Sequence, residues 1–301
     1  MSSEAECEFV CSRGILKRCD VYPHSPRSGT MQLLDYNWSA LRPGCSVYVS
    51  SASLGNFFQT IFPQIPFPIR LVTGDCDLSV PTQVLPAPAI TALLESDKLL
   101  CWWSQNLILP RRHPKLRSLP IGLDYHTMAA GNHEWGLQTT PLEQEALLKR
   151  IRDAAKPLAA RKCRLHSNFH FAFGGRQFAF DRRDAMAKIP AALIDYEVAP
   201  TERETTWLRQ AEYAFVASPM GGGLDCHRTW EAFALGCIPV MRSGPLDCLF
   251  EGLPVLLVKQ WSDISEELLT TTQKEYSDRW SSFAWERLRL DYWMSQITST
   301  V

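Results

Sequence analysis

No stretch of the sequence approaches the roughly 18 uninterrupted apolar residues that a membrane span requires, so a spanning segment is not expected. Charge of one sign is also scarce as an excess. Lys and Arg number 31 against 32 Asp and Glu, a formal net charge of −1, which leaves no electrostatic footprint for nucleic acid as the main partner. Internal repeats and low-complexity runs are absent, which removes solenoids and arrays. The opening MSSEAECEFVCSRG is acidic and polar and lacks the basic-then-apolar plan of a signal peptide. A cytoplasmic location is therefore expected, and the Golgi lumen only if the chain is a trimmed form.

What is present describes an ordinary globular protein: 301 residues, 46% hydrophobic and 21% charged. That length suits one large core or two halves of about 150 residues each. The ten cysteines are scattered, several inside apolar runs, and read as reduced, small core residues rather than a disulfide framework.

The most informative stretch runs from Ser218 to Val258. An apolar run, Tyr213 to Ala217, precedes it and reads as a buried strand. Pro219 and three glycines follow, then a helical pattern opening at Asp225, which is placed to cap it. Trp230, Phe233, Ala234 and Cys237 fall at helical spacing, with His227, Arg228 and Glu231 on a different face. A short strand, Ile238 to Met241, comes next. Strand, glycine turn, helix and strand make one unit of an open α/β sheet. Glycines let backbone approach a ligand closely, and a helix start offers free N–H groups and a positive dipole end. With His227 and Arg228 in the first turn, the chemistry points to phosphate. The glycine triplet taken alone favours the plainer reading, a glycine-rich loop before a capped, amphipathic surface helix.

The longer string SPMGGGLDCHRTWEAFALGCIPV, followed by SGPLDCLFEGLPVLLVKQW, resembles the donor-binding half of exostosin-like glycosyltransferases. That resemblance implies the two-domain GT-B arrangement: two Rossmann-like domains facing a cleft, with a C-terminal helix crossing back to the first. It implies a hexosyl- or pentosyltransferase using a nucleoside diphosphate sugar, UDP-linked, and a glycan or glycoconjugate acceptor. Residues 1–156 are then expected to hold the acceptor and 157–278 the donor, with 279–301 as the returning helix. On this reading Ser218, Gly221, Gly222, Gly223, Asp225, His227 and Arg228 surround the diphosphate, Arg176 is available to it, and Glu231 holds the ribose. Met220 stands where many relatives carry arginine, so Arg228 or Arg176 must supply that charge.

Three strands of the first half end in polar residues: Ile69 to Thr73 before Asp75 and Asp77, Leu99 to Trp103 before Gln105 and Asn106, and Leu116 to Ile121 before Asp124 and His126. Carboxyl ends of strands line the ligand crevice of an open α/β sheet, although the same residue types favour turns. If transfer inverts the anomeric centre, a base must take the acceptor proton. Asp124 is the first candidate and Asp75 the second, with His126, Asp77 and Asn106 positioning sugar hydroxyls.

Other helices are expected from Pro81 to Ser96, from Pro141, from Asp181 to Lys188, from Glu202 to Glu212, from Asp263 to Tyr276 and from Arg279 to Ile297. Further strands are expected at Cys163 to Phe173 and Ala191 to Val198. Cys163, His166 and His170 have metal-ligand chemistry, but on a strand only 166 and 170 share a face. No metal or other cofactor is expected to be required, a divalent metal being possible but not favoured. A metal-dependent transferase using Asp75 and Asp77, and an inactive nucleotide- or glycan-binding protein, are the alternatives. A dinucleotide-dependent oxidoreductase would need an acidic residue after Ile238 to Met241, where Arg242 and Ser243 stand. The sequence leaves open the donor sugar and the oligomeric state.

Overall fold

A computed structural model describes residues 3–108, 113–132, 135–171, 176–197 and 199–300. Pro110 to Arg112 of the basic PRRHPK loop, the Gly174-Gly175 break, and Val198 lie outside these residues. Two parallel sheets form the frame. The first has four strands in the order β1 (Ser46–Ser50), β2 (Ile69–Gly74), β3 (Leu99–Ser104) and β4 (Leu116–Ser118). The second runs β6 (Ile194–Tyr196), β5 (Lys162–Ser167), β7 (Tyr213–Ala217), β8 (Ile238–Arg242), β9 (Leu256–Val258). Every residue of β1 and β7 is buried, as expected for parallel strands covered on both faces. The chain is therefore α/β with two Rossmann-like units.

The first unit carries α1 (Ser12–Arg18), α2 (Leu54–Thr60), α3 (Ala87–Glu95), the single turn α4 (His126–Ala129) and α5 (Pro141–Ala154). The α5 helix opens as its sequence dictates, with Pro141 in the first turn and a Thr140–Glu143 capping box. Helices α6 (Phe180–Lys188), α7 (Arg203–Gln210), α8 (His227–Ala234) and α9 (Glu266–Asp278) belong to the second unit, and α10 (Leu290–Ser299) ends the chain. One core joins the two units: Tyr125, Leu148, Trp207, Trp230, Phe233 and Trp293 all belong to it. The returning segment pairs with the N-terminus, since Leu290 N–H donates to Glu8 O and Val10 N–H to Leu288 O, both at 2.8 Å.

Several sequence expectations shift, each for a physical reason. The helix expected from Pro81 begins at Ala87, because Val80 pairs with Leu107 and residues 81–85 close tight turns on the Pro81 carbonyl. The strand from Leu116 stops at Ser118, since Ile121 N–H leaves the sheet to bond Asp225. The α1 helix lies where no period was legible. The strand from Cys163 is Lys162–Ser167, and that from Ala191 is reduced to Ile194–Tyr196 after a 3-10 turn. The final helix starts at Leu290 rather than Arg279, because Trp280, Phe283 and Trp285 pack on one another in short turns.

Candidate functional site

The order β6-β5-β7-β8-β9 reverses direction between β5 and β7. In an open α/β sheet such a switch point is where ligands bind, beyond the carboxyl ends of the strands. The glycine turn follows β7, and Asn168 follows β5, so both flank that point. Helix α6 clamps the turn from one side. Asp181 accepts Met220 N–H at 2.9 Å, and Arg182 Nε donates to Met220 O at 3.3 Å. Arg182 thus brings a guanidinium to the turn at Met220, its Nη2 lying 2.7 Å from where a Cβ on Gly221 would stand. A side chain at 221 would have to push that guanidinium aside.

Arg228, in the first turn of α8, donates Nε to Asn168 Oδ1 at 3.1 Å and lies over the Phe169 ring. Its Nη1 is shielded from solvent and has no hydrogen-bond partner among the described residues. Burial, with Arg228 close by, lowers Arg182 to about 10, and burial lowers Arg228. Two arginines are thereby held behind one helix start, with a buried N–H unsatisfied. The first free N–H groups of α8 add positive dipole there. Such a corner favours an anion. Sequence reading found Arg228 by its place after the glycines but missed Arg182, which sits inside FDRRDAMAK with no spacing signal to mark it.

Other expected donor residues are occupied elsewhere. Cys226, not Asp225, is the N-cap of α8, and it makes no side-chain cap. Asp225 is buried, accepting Ile121 N–H at 2.8 Å, Trp230 Nε1 at 3.0 Å and Cys226 N–H at 2.9 Å. Burial pushes its carboxyl up to about 6. It ties the two units together rather than meeting a donor. The Ser218 hydroxyl is paired with Thr229 Oγ1 at 2.6 Å, inside the strand–helix joint.

The first unit reaches into the same corner. Asn106 is buried with φ +50°, and its Oδ1 accepts Leu224 N–H at 3.1 Å and Asp225 N–H at 3.0 Å. Its Nδ2 donates to Cys76 O at 3.0 Å. The amide oxygen and one amide N–H are thus engaged in pinning the glycine turn. Asp77 and Arg176 are ion-paired across the turn, against Gly222, both half-exposed. Asp75, at φ +54°, accepts from Ser28 Oγ at 2.6 Å and lies 4.0 Å from Arg13.

Asp124 and His126 lie beside α8. Asp124 Oδ1 is 3.0 Å from His126 Nδ1, and the same carboxylate accepts Thr127 N–H at 3.0 Å and Thr127 Oγ1 at 2.7 Å. Despite burial, His126, His227 and Arg203 hold Asp124 well below the usual carboxylate range. A carboxylate of lowered pKa is a weaker base, which counts against the first candidate. Arg203, missed in the sequence, donates to Asp124 O, lies 3.8 Å from its Oδ2, and is 3.9 Å from Glu231 Oε1. His227 Nδ1 lies 2.7 Å from Gly122 O, and its ring is 6.3 Å from that of His126.

Among the described residues no three His, Cys, Asp or Glu side chains gather as a metal site, and none of the helices is long and apolar enough to cross a membrane. His166 is directed to Glu197 at 3.2 Å, and Cys163 lies beside Thr270. A cavity of about 480 Å³, lined by Phe9, Phe233, Trp280 and Trp285, opens at the far end of α8. An eight-residue helix places it ~12 Å from the glycine turn, too far to serve the same ligand atoms.

The fold and the corner define a protein of two Rossmann-like α/β units with a cationic switch-point site. No family model matches the sequence, and no curated protein matches it. Among solved structures, the chain is similar to an α,α-trehalose-phosphate synthase (UDP-forming) from Burkholderia vietnamiensis, at 12% identity, 87% of this chain, 73% of that chain and a TM-score of 0.42. It is similar to the protein chain of the structure described as "Trehalose-6-phosphate from E. coli bound with UDP-2-fluoro glucose", at 10% identity, 87% and 75% coverage and a TM-score of 0.43. An α1,3-fucosyltransferase matches at 8% identity, 92% and 94% coverage and a TM-score of 0.39.

Proposed function

We propose that the chain is an exostosin-like glycosyltransferase, moving a sugar from a nucleoside diphosphate sugar to a hydroxyl of a glycan or glycoconjugate, with inversion and without a metal. The observation that carries the reading is the shielded, unpartnered Nη1 of Arg228 beside Arg182 at the start of α8. A buried N–H left unsatisfied is unfavourable by about 1–3 kcal/mol, and a diphosphate oxygen would satisfy it with a charge-assisted bond. Residues 157–278 would hold the donor, 1–156 the acceptor, and 279–301 would tie the halves. Arg182, Arg228, His227 and the α8 N–H groups would take the diphosphate, and Glu231 the ribose. The same cations would stabilise the departing nucleoside diphosphate as its charge develops.

Incubation with a panel of UDP-, GDP- and CMP-linked sugars, with and without hydroxyl acceptors, tests the reading. Release of nucleotide that persists in a chelator is expected. A chelator-sensitive release would favour the Asp75–Asp77 metal alternative instead. A second reading, binding without transfer, has its own support: Asp77 and Arg176 meet against Gly222 and fill part of the corner. Nucleotide binding with no release from any donor would establish it.

A further inference from the structure

Resting on the transferase reading, we infer that His126 is the group that takes the acceptor proton, and that Asp124 is its positioning residue. The geometry comes from both sides of the site. His126 stands on α4 in the first unit, and its ring faces that of His227, the first residue of α8, at 6.3 Å between centroids. The acceptor unit therefore presents an imidazole to the helix start where the diphosphate would lie. His126 Nδ1 lies 3.0 Å from Asp124 Oδ1, so the carboxylate neighbours Nδ1 and Nε2 is the nitrogen left for the acceptor. No hydrogen bond to that Nε2 occurs among the described residues. Asp124 is itself locked by Thr127 and Arg203, so the ring has little freedom to turn.

The charged neighbours set when this nitrogen is free. His126 faces Asp124 on its own segment, Arg13 of α1, Asp75 beyond β2 and His227 of α8, with Arg203 of α7 behind Asp124. Burial lowers its pKa, and Arg13 and His227 add to that, while Asp124 and Asp75 oppose it. Burial thereby favours the neutral imidazole, the form that can accept a proton. In the reaction the acceptor hydroxyl gives its proton to His126 Nε2 as its oxygen bonds the anomeric carbon. The bond from that carbon to the β-phosphate oxygen breaks, and its electron pair leaves with the nucleoside diphosphate. The imidazolium then returns its proton to solvent. Arg203, 3.8 Å from Asp124 Oδ2 and 3.9 Å from Glu231 Oε1, links this proton acceptor to the residue assigned to the ribose.

The test measures nucleotide release from the best donor of the panel, from pH 5 to 9, for wild type, His126→Gln and Asp124→Asn, with UDP affinity measured by calorimetry for each. His126→Gln is expected to lower kcat by about 10²–10⁴-fold, the usual share of general base catalysis, while UDP affinity stays within about twofold. Asp124→Asn keeps an acceptor for Thr127 N–H but removes the charge that raises His126. Its acid limb should therefore move to lower pH as its kcat falls. Wild-type turnover in His126→Gln overturns the inference and leaves the transferase reading intact. An unmoved acid limb in Asp124→Asn overturns the positioning role. Wild-type protein that releases no nucleotide from any donor defeats the transferase reading, and the base assignment with it.

Discussion

Arg228 enters the glycine corner with Nε donated to Asn168 and Nη1 without a hydrogen-bond partner among the described residues. Replacing it by methionine removes an unsatisfied buried donor, and with it the Nε bond to Asn168 and the cation over the Phe169 ring, which act in opposite directions. The unliganded variant is expected to melt close to the wild-type temperature in differential scanning fluorimetry. Asp225 behaves oppositely, because its oxygens hold three N–H donors across the two units. Asp225→Asn turns one acceptor into a donor against a donor and should reduce stability by about 1–3 kcal/mol. Its folded pKa, about 6, lies above the ordinary carboxylate value. The contribution from that shift is complete below about pH 4 and is lost as pH rises through about 6. Urea unfolding should therefore show the wild-type advantage shrinking between those pH values. The sequence shows that Arg228 follows the glycines, but not that Asp225 faces inward. Which side of a helix start a residue takes depends on the opposing unit, here Ile121 and Trp230.

At the scale of elements, the glycine turn is shaped by what presses on it. Arg182 approaches at Gly221, and the Asn106 amide lies 2.9 Å from a Cβ position at Gly223. None of the three glycines has a positive φ, so close approach is what the run supplies. Asn106→Ala would leave the Leu224 and Asp225 N–H groups unpaired in a buried joint. A loss of about 2–6 kcal/mol is expected, at 1–3 for each orphaned donor, measurable as a lower urea midpoint. Local pattern made most strands and the Pro141 helix readable, because parallel strands are short apolar runs and capped helices announce their starts. The strap from Trp280 to Leu290 was not readable as broken turns. Its aromatic residues match a helical period, yet they pack on one another and on the N-terminus. Arg203, too, gains its place only when α7 meets Asp124.

At the scale of the molecule, the two units share one core through Trp207, Trp230 and Trp293, and meet again where Asp77 pairs with Arg176 over the glycine turn. That carboxylate occupies space beside the proposed diphosphate position. Asp77→Asn is expected to tighten nucleoside diphosphate binding by a few-fold, since exposed ion pairs are worth about 0–1 kcal/mol. The two-unit α/β plan was legible because each half repeats strand, turn and helix. The closeness of the units was not, because it rests on side chains far apart in sequence. The central claim is that the Arg182–Arg228 corner takes a nucleoside diphosphate. Titration calorimetry of UDP, GDP, ADP and CDP into wild type and Arg228→Met tests it most directly. The account predicts that at least one nucleotide binds wild type, and that the variant binds it about 10–100-fold more weakly, the worth of a charged hydrogen bond. Equal binding by the two proteins, or none by wild type, would contradict it.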